Sequence, residues 1–270
     1  MPLGKMEILF LFLFLVSLLS HQYVSGWVTS KYNVKKTRHP RLLQKLAPLN
    51  EKCEISSSRK IVSRKKELIN GNVWIIECKE LEVEKLFSNL VPVMGRGCDV
   101  TVKWNDPVKG ARDLVDSLDL DSKVESASSL FFSKSFQQFK SMVYGEGISV
   151  SSFKARIVAS RGSVGTKCPR WHFDYTPVRW VQSLVGPGCD FVISEVGVNR
   201  SVLNQSDDDE TELTNKDIVD SVLADVKQGQ VGYAIILKGL EGCEKPAIHK
   251  SPELKWLEGR VLMTLDIILE

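Results

Sequence analysis

Of the four histidines in this chain, only His172 and His249 lie beyond the first 70 residues. His172 stands in Trp171-His172-Phe173-Asp174. On a strand, side chains alternate with a period of two, so His172 and Asp174 face the same side. An imidazole and a carboxylate placed this way can bind one metal ion together. A distant second histidine completes a set of two imidazoles and one carboxylate, which leaves three positions open on Fe(II). His249, in Ile248-His249-Lys250-Ser251-Pro252, is the candidate for that second imidazole. Eleven residues later Arg260 opens a terminal apolar strand, where a guanidinium can pair bidentately with a carboxylate. The bland alternative is an Asp that holds a nearby His in a structural hydrogen bond. Taken by themselves, the residue types and spacing leave both readings open.

The elements that must position these residues occupy an ordinary globular composition. The 270 residues are 43% hydrophobic and 26% charged, which excludes collagen-like, wholly disordered and multi-span membrane classes. The net charge of +3 is unevenly spread. Residues 27–70 hold 12 Lys or Arg against 3 Glu, and the first 26 residues are balanced, so residues 71–270 carry −6. An acidic body argues against a nucleic-acid partner, which needs a basic face.

The N-terminus reads as an address. Lys5 precedes a 12-residue apolar run, Ile8 to Leu19, too short for the roughly 20 residues of a membrane span. Its length and flanks fit a signal peptide over residues 1–26, cleaved near Val24-Ser25-Gly26. Entry into the secretory pathway is expected, with no stable membrane span after cleavage. The basic, Ser-bearing, poorly ordered lead-in of residues 27–70 also fits the second half of a bipartite plastid presequence, or a solvated linker. Six cysteines make an even count that permits disulfides without assigning pairs. Asn199-Arg200-Ser201 and Asn204-Gln205-Ser206 are glycosylation sequons and predict a surface loop. The acidic run Asp207 to Glu210 lacks the spacing of a calcium loop and reads as a solvated insertion.

In the body, Val73–Glu77 reads as a buried strand. Helices are expected over Glu80–Val91, from Pro107 with Val108, Ala111, Leu114, Val115 and Leu118 inward, and over Ser122–Val143 with Leu130, Phe131, Phe136 and Phe139 inward. Strands are expected at Val150–Ala159, Val178–Val185, Asp190–Ser194, Val231–Leu237 and Arg260–Leu269, with a turn at Gly186-Pro187-Gly188 and a helix over Asn215–Val226. The pattern predicts an α+β protein: a helical part (71–148) packed on a jelly-roll, or double-stranded β-helix, core (149–270) that carries the metal site.

The order of His172, Asp174, His249 and Arg260 resembles that of the Fe(II)/2-oxoglutarate oxygenases. Cys168-Pro169-Arg170-Trp171-His172-Phe173-Asp174, Arg179, Gly186-Pro187-Gly188, Gly229, Leu237-Lys238-Gly239, His249-Lys250-Ser251-Pro252 and Arg260 to Asp266 also resemble the signature of the domain of unknown function 1826. This second resemblance spans roughly Ser149 to Asp266. It departs at Cys189, Asp190 and Lys250, none of them a proposed ligand. The oxygenase resemblance implies Fe(II) on His172, Asp174 and His249, and 2-oxoglutarate anchored by Arg260. Thr264, on the same strand face, stands in for a missing serine at position 262, and Arg179 is a second candidate anion anchor. The substrate, small molecule or protein, is not specified. Bacterial members of the second family are associated with zinc homeostasis. That implies the alternative of a non-catalytic zinc protein, closed by Cys168 with Cys243 nearby. Zinc-dependent hydrolysis ranks last, because no motif places a Glu as base.

Overall fold

Residues 66–69, 72–78, 82–163, 168–203 and 214–269 are described in a computed structural model of the chain. They fall in one unit, Lys45–Glu270. The expected signal peptide, nearly all of the basic lead-in, Cys53, the sequon at Asn204 and the acidic run lie outside the described residues. Within the described residues no helix is long and apolar enough to cross a membrane.

The strands are β1 (Lys66–Ile69), β2 (Val73–Glu77), β3 (Gly95–Trp104), β4 (Ser152–Arg161), β5 (Val178–Val185), β6 (Asp190–Val192), β7 (Val226–Gln228), β8 (Tyr233–Lys238), β9 (His249–Lys250) and β10 (Gly259–Ile268). They form two antiparallel sheets, β1-β2-β8-β5-β10-β4-β3 and β7-β6-β9. An isolated bridge between His172 and His249 adds one more rung beside β9. From β4 onward the chain therefore passes back and forth between the sheets. β4, β5, β8 and β10 lie in the large one, while the His172 segment, β6, β7 and β9 lie in the small one.

Alternation along each strand of the large sheet separates two apolar layers. Phe153, Ala155, Ile157, Trp180, Ile236, Val261, Met263 and Leu265 face outward onto helices. Val181, Ile235 and Leu237 face inward onto Cys189, Phe191 and Ala247 of the small-sheet side. A third cluster covers the far face of the small sheet, with Trp171, Val192, Ile218, Val219 and Ile248.

The outer layer is covered by α1 (Val83–Phe87), α2 (Pro107–Asp116) and α3 (Ser122–Gly145); α4 (Arg200–Leu203) and α5 (Asn215–Ile218) lie between β6 and β7 in the chain. Asp106 and Asp121 cap α2 and α3, accepting from the backbone N–H of Lys109 and Lys123, each satisfying a donor that the helix start leaves open. Trp104 is sandwiched between Phe136 and Phe153, with ring centroids 4.6 and 4.5 Å away, and so joins α3 to the sheet.

Four expectations need correction. The stretch 71–148 is not simply helical: it supplies β2 and β3 to the large sheet. Leu130 is 57% exposed while Phe132 is fully buried, so the inward stripe of α3 runs through Phe131, Phe132, Phe136 and Phe139. Val108 is also 57% exposed, because α2 turns Ala111, Leu114 and Val115 inward. The helix expected over Asn215–Val226 stops at Ile218. Val219 instead pairs with Val198 in an antiparallel bridge, which places both Ile218 and Val219 in the third cluster.

Candidate metal centre

His172 and His249 face each other across two adjacent segments. Each donates its backbone N–H to the other's carbonyl, at 3.0 and 2.9 Å. Such a mutual pair puts both side chains on one face of the ladder, and the ring centroids are 4.4 Å apart. Asp174 follows two residues after His172. Ligand atoms of His172, Asp174 and His249 all lie within 4.8 Å of one another.

The hydrogen bonds of the two rings select their free nitrogens. His172 Nδ1 lies 2.8 Å from the carbonyl of Arg170, and His249 Nδ1 lies 3.4 Å from that of Ala247. A carbonyl only accepts, so in the neutral rings Nδ1 carries the proton and Nε2 presents a lone pair. Burial pushes the His249 imidazole down to about 4, against the pull of Asp174, so this ring is neutral at ordinary pH. Its Nε2 stands 3.4 Å from Asp174 Oδ2, a buried oxygen without a hydrogen-bond partner. Two acceptors facing each other repel unless a cation lies between them. The donor set fits a metal ion, and the carbonyls behind both rings are the outer contacts that orient such ligands.

Asp174 is held from the other side. Its Oδ1 accepts from Arg179 Nη1 at 2.6 Å. Arg179 also donates from Nε and Nη2 to both oxygens of Asp266, at 2.6 and 3.2 Å. Burial works against its charge, yet the two carboxylates keep its pKa above the ordinary value. Each of its three nitrogens is thus engaged by a carboxylate of the protein, so the Arg179 expected as a second anion anchor is here held by Asp174 and Asp266. Backbone packing holds Asp174 too. Leu240 N–H donates to Asp174 O at 2.8 Å, and a Cβ at Gly239 would stand 2.5 Å from that same oxygen.

A cavity of about 120 Å³ opens beside the histidines, lined among others by Arg156, Cys168, Arg179, Lys250, Arg260 and Thr264. Of its four cationic side chains, three have carboxylate partners. Arg156 pairs with Asp99, Arg179 with Asp174 and Asp266, and Lys250 with Asp190. Arg260 is 4% exposed, and its Nε and Nη2 have no hydrogen-bond partner. Desolvation lowers its pKa. It stands beside a register shift between β5 and β10 at Val261/Leu262, a kind of irregularity that re-aims side chains. Gly186 makes room there: its φ is +67°, and a Cβ on it would collide with the carbonyl of Gly259.

Thr264 lines the same wall, two residues from Leu262 and four from Arg260. The thiol-closed site is not what the structure gathers. Among the described residues the converging set has three members, and Cys168 is not one. Cys243 instead donates to the carbonyl of Lys245. Cys98, Cys168, Cys189 and Cys243 are free thiols, and burial pushes Cys189 up to about 12. The residue that sequence reasoning left without a role is Asp266. The signal was present: positions 260, 262, 264 and 266 alternate onto one strand face, and an acid there is turned inward.

Residues 163–266 match a family described as "Protein of unknown function (DUF1826)". No curated protein matches the chain. Among solved structures, the rice dioxygenase for auxin oxidation is similar at 11% identity and TM-score 0.39, over 69% of this chain and 63% of that one. The Arabidopsis thaliana dioxygenase for auxin oxidation 1, in a 2-oxoglutarate complex, is 10% identical at TM-score 0.37, covering 71% and 73%. A Pseudomonas putida prolyl-4-hydroxylase is 10% identical at TM-score 0.33, covering 72% and 98%. The chain thus spans under two thirds of the rice enzyme's length.

Proposed function

We propose that this chain is an Fe(II)/2-oxoglutarate-dependent oxygenase on a double-stranded β-helix core. The passage of the chain between two facing antiparallel sheets, from β4 to β10, supports that architecture. The observation that carries the chemistry is Arg260. A buried guanidinium with two unpartnered nitrogens, on the wall of a cavity shared with two metal-facing histidines, calls for a carboxylate. In this reading His172, Asp174 and His249 hold the metal on one side and leave its other side to small ligands. Arg260 takes the distal carboxylate of 2-oxoglutarate, with the Thr264 hydroxyl beside it. Bound Fe(II) and 2-oxoglutarate supply the oxidising chemistry, in which O₂ is reduced and a substrate is oxidised. The chain's own part is to turn both Nε2 atoms toward the metal, to aim one Asp174 oxygen and to exclude water with Val158, Val181 and Leu262.

Anaerobic titration of Fe(II)-loaded protein with 2-oxoglutarate tests this. A visible charge-transfer band that saturates at one cosubstrate per chain, and is lost in Arg260→Ala with metal content unchanged, is the expected result. One tightly held metal with no response to 2-oxoglutarate would refute it.

A further inference from the structure

We propose that Asp266 is a positioning residue of the metal centre, acting through Arg179 to restrict Asp174 to one ligand oxygen. The inference rests on the reading of His172, Asp174 and His249 as metal ligands. Three neighbouring strands put Lys154, Asp266 and Arg179 directly opposite one another in register. Asp266 is buried in the middle of this row. Lys154 Nζ lies 3.5 Å from it on one side. On the other side the Arg179 fork grips both Asp266 oxygens, which fixes the plane of the guanidinium. With that plane fixed, Nη1 is the arm left for Asp174, and it takes Oδ1 at 2.6 Å.

Asp174 belongs to no strand, and among the described residues its carboxylate has no other hydrogen bond. Its orientation is therefore set from two residues away in contact space, through Arg179. The consequence is a count of coordination positions. A carboxylate whose Oδ1 is occupied by a charged donor offers a metal only Oδ2. Without Asp266 the guanidinium is free to turn, Oδ1 is released, and Asp174 is free to chelate through both oxygens. That closes one of the positions that the two histidines and a single oxygen leave open. Asp266 and Arg179 thus keep room at the metal for small ligands.

Co(II) alone is the probe, added to the full chain, for wild type, Asp266→Asn, Arg179→Lys and Lys154→Ala. Lys154 shares the row without touching Asp174, so its variant is expected to match wild type. Asp266→Asn and Arg179→Lys are expected to raise the Co(II) dissociation constant by roughly 10- to 100-fold and to change the intensity of the visible d–d bands, which report coordination number. Folded variants with wild-type affinity and spectrum overturn the proposal. Weakened binding with an unchanged spectrum also overturns it, since that is a merely structural loss. Where a variant does not fold, the infrared carboxylate stretches of wild type on metal addition decide. A one-oxygen pattern supports the proposal, and a chelating pattern overturns it. A wild-type chain that takes up no Co(II) removes the metal-centre reading itself, whereas binding by wild type with unaltered variants removes only the role of Asp266.

Discussion

Replacing Arg260 by Met is expected to stabilise the metal-free, cosubstrate-free protein while abolishing its response to 2-oxoglutarate. Met keeps most of the apolar stem that packs in the wall, so the change isolates the guanidinium. Two of its nitrogens are buried without partners, and a buried donor left unsatisfied costs roughly 1–3 kcal/mol. At the low end for each, the wild-type protein without ligands gives up about 2 kcal/mol to keep this group. For a chain of this size about 2–4 °C of melting temperature accompanies each kcal/mol, so Arg260→Met should melt roughly 4–8 °C higher. The order then reverses on loading. A ligand at a hundred times its dissociation constant stabilises the native state by about 2.7 kcal/mol, a gain open to wild type and closed to the variant. Thermal unfolding in chelator and a low-anion buffer, then with Mn(II) and 2-oxoglutarate, measures both halves. A variant that melts below wild type without ligands would refute the reasoning, because the guanidinium would then be satisfied by the protein itself.

Four further outcomes follow from the geometry. His172→Ala and His249→Ala should each abolish stoichiometric metal binding with little change in far-ultraviolet circular dichroism, measured by equilibrium dialysis. In metal-free protein, His249 stays neutral when folded down to a pH of about 4, whereas the unfolded chain protonates near 6.5. Folding stability should therefore be full above about pH 6.5 and fall below it, by up to about 1.4 kcal/mol per pH unit for this one proton; chemical denaturation at several pH values should show a flatter profile in His249→Asn. Gly239→Ala should cost roughly 1–3 kcal/mol and weaken metal binding, since its methyl meets the backbone oxygen of Asp174. Gly145→Ala, whose methyl meets nothing within 4 Å, should be neutral or slightly stabilising.

Local rules read well where one strand or one turn carried the information. The period of two placed Arg260 on one strand face with Thr264, whereas His172 and Asp174 converge although Asp174 lies in no strand. Clustered apolar residues marked β5 and β8 closely. β3 was equally readable, since Val100, Val102 and Trp104 alternate with Thr101 and Lys103, but its glycines and charges masked the pattern. What local rules do not hold is pairing. Arg179 was legible as a cation near an anion site. That its fork belongs to Asp266 depends on β5 lying beside β10, a neighbour far away in the chain. The early stop of the Asn215 helix has the same origin, because Val198 takes Val219 as a partner. Leu130 and Phe132 both fit an amphipathic stripe, and only the packing of α3 in the core decided which one is buried.

The rung formed by His172 and His249 has one more consequence. The backbone protons that these two residues exchange with solvent are the same ones that hold their rings together. An ion between the rings would have to be given up, or carried, each time that rung opens, so occupancy and opening are linked equilibria. Deuterium uptake at these two amides then reads the loading of the site without any spectroscopic label, and an intact site protects itself most at the positions from which it is built.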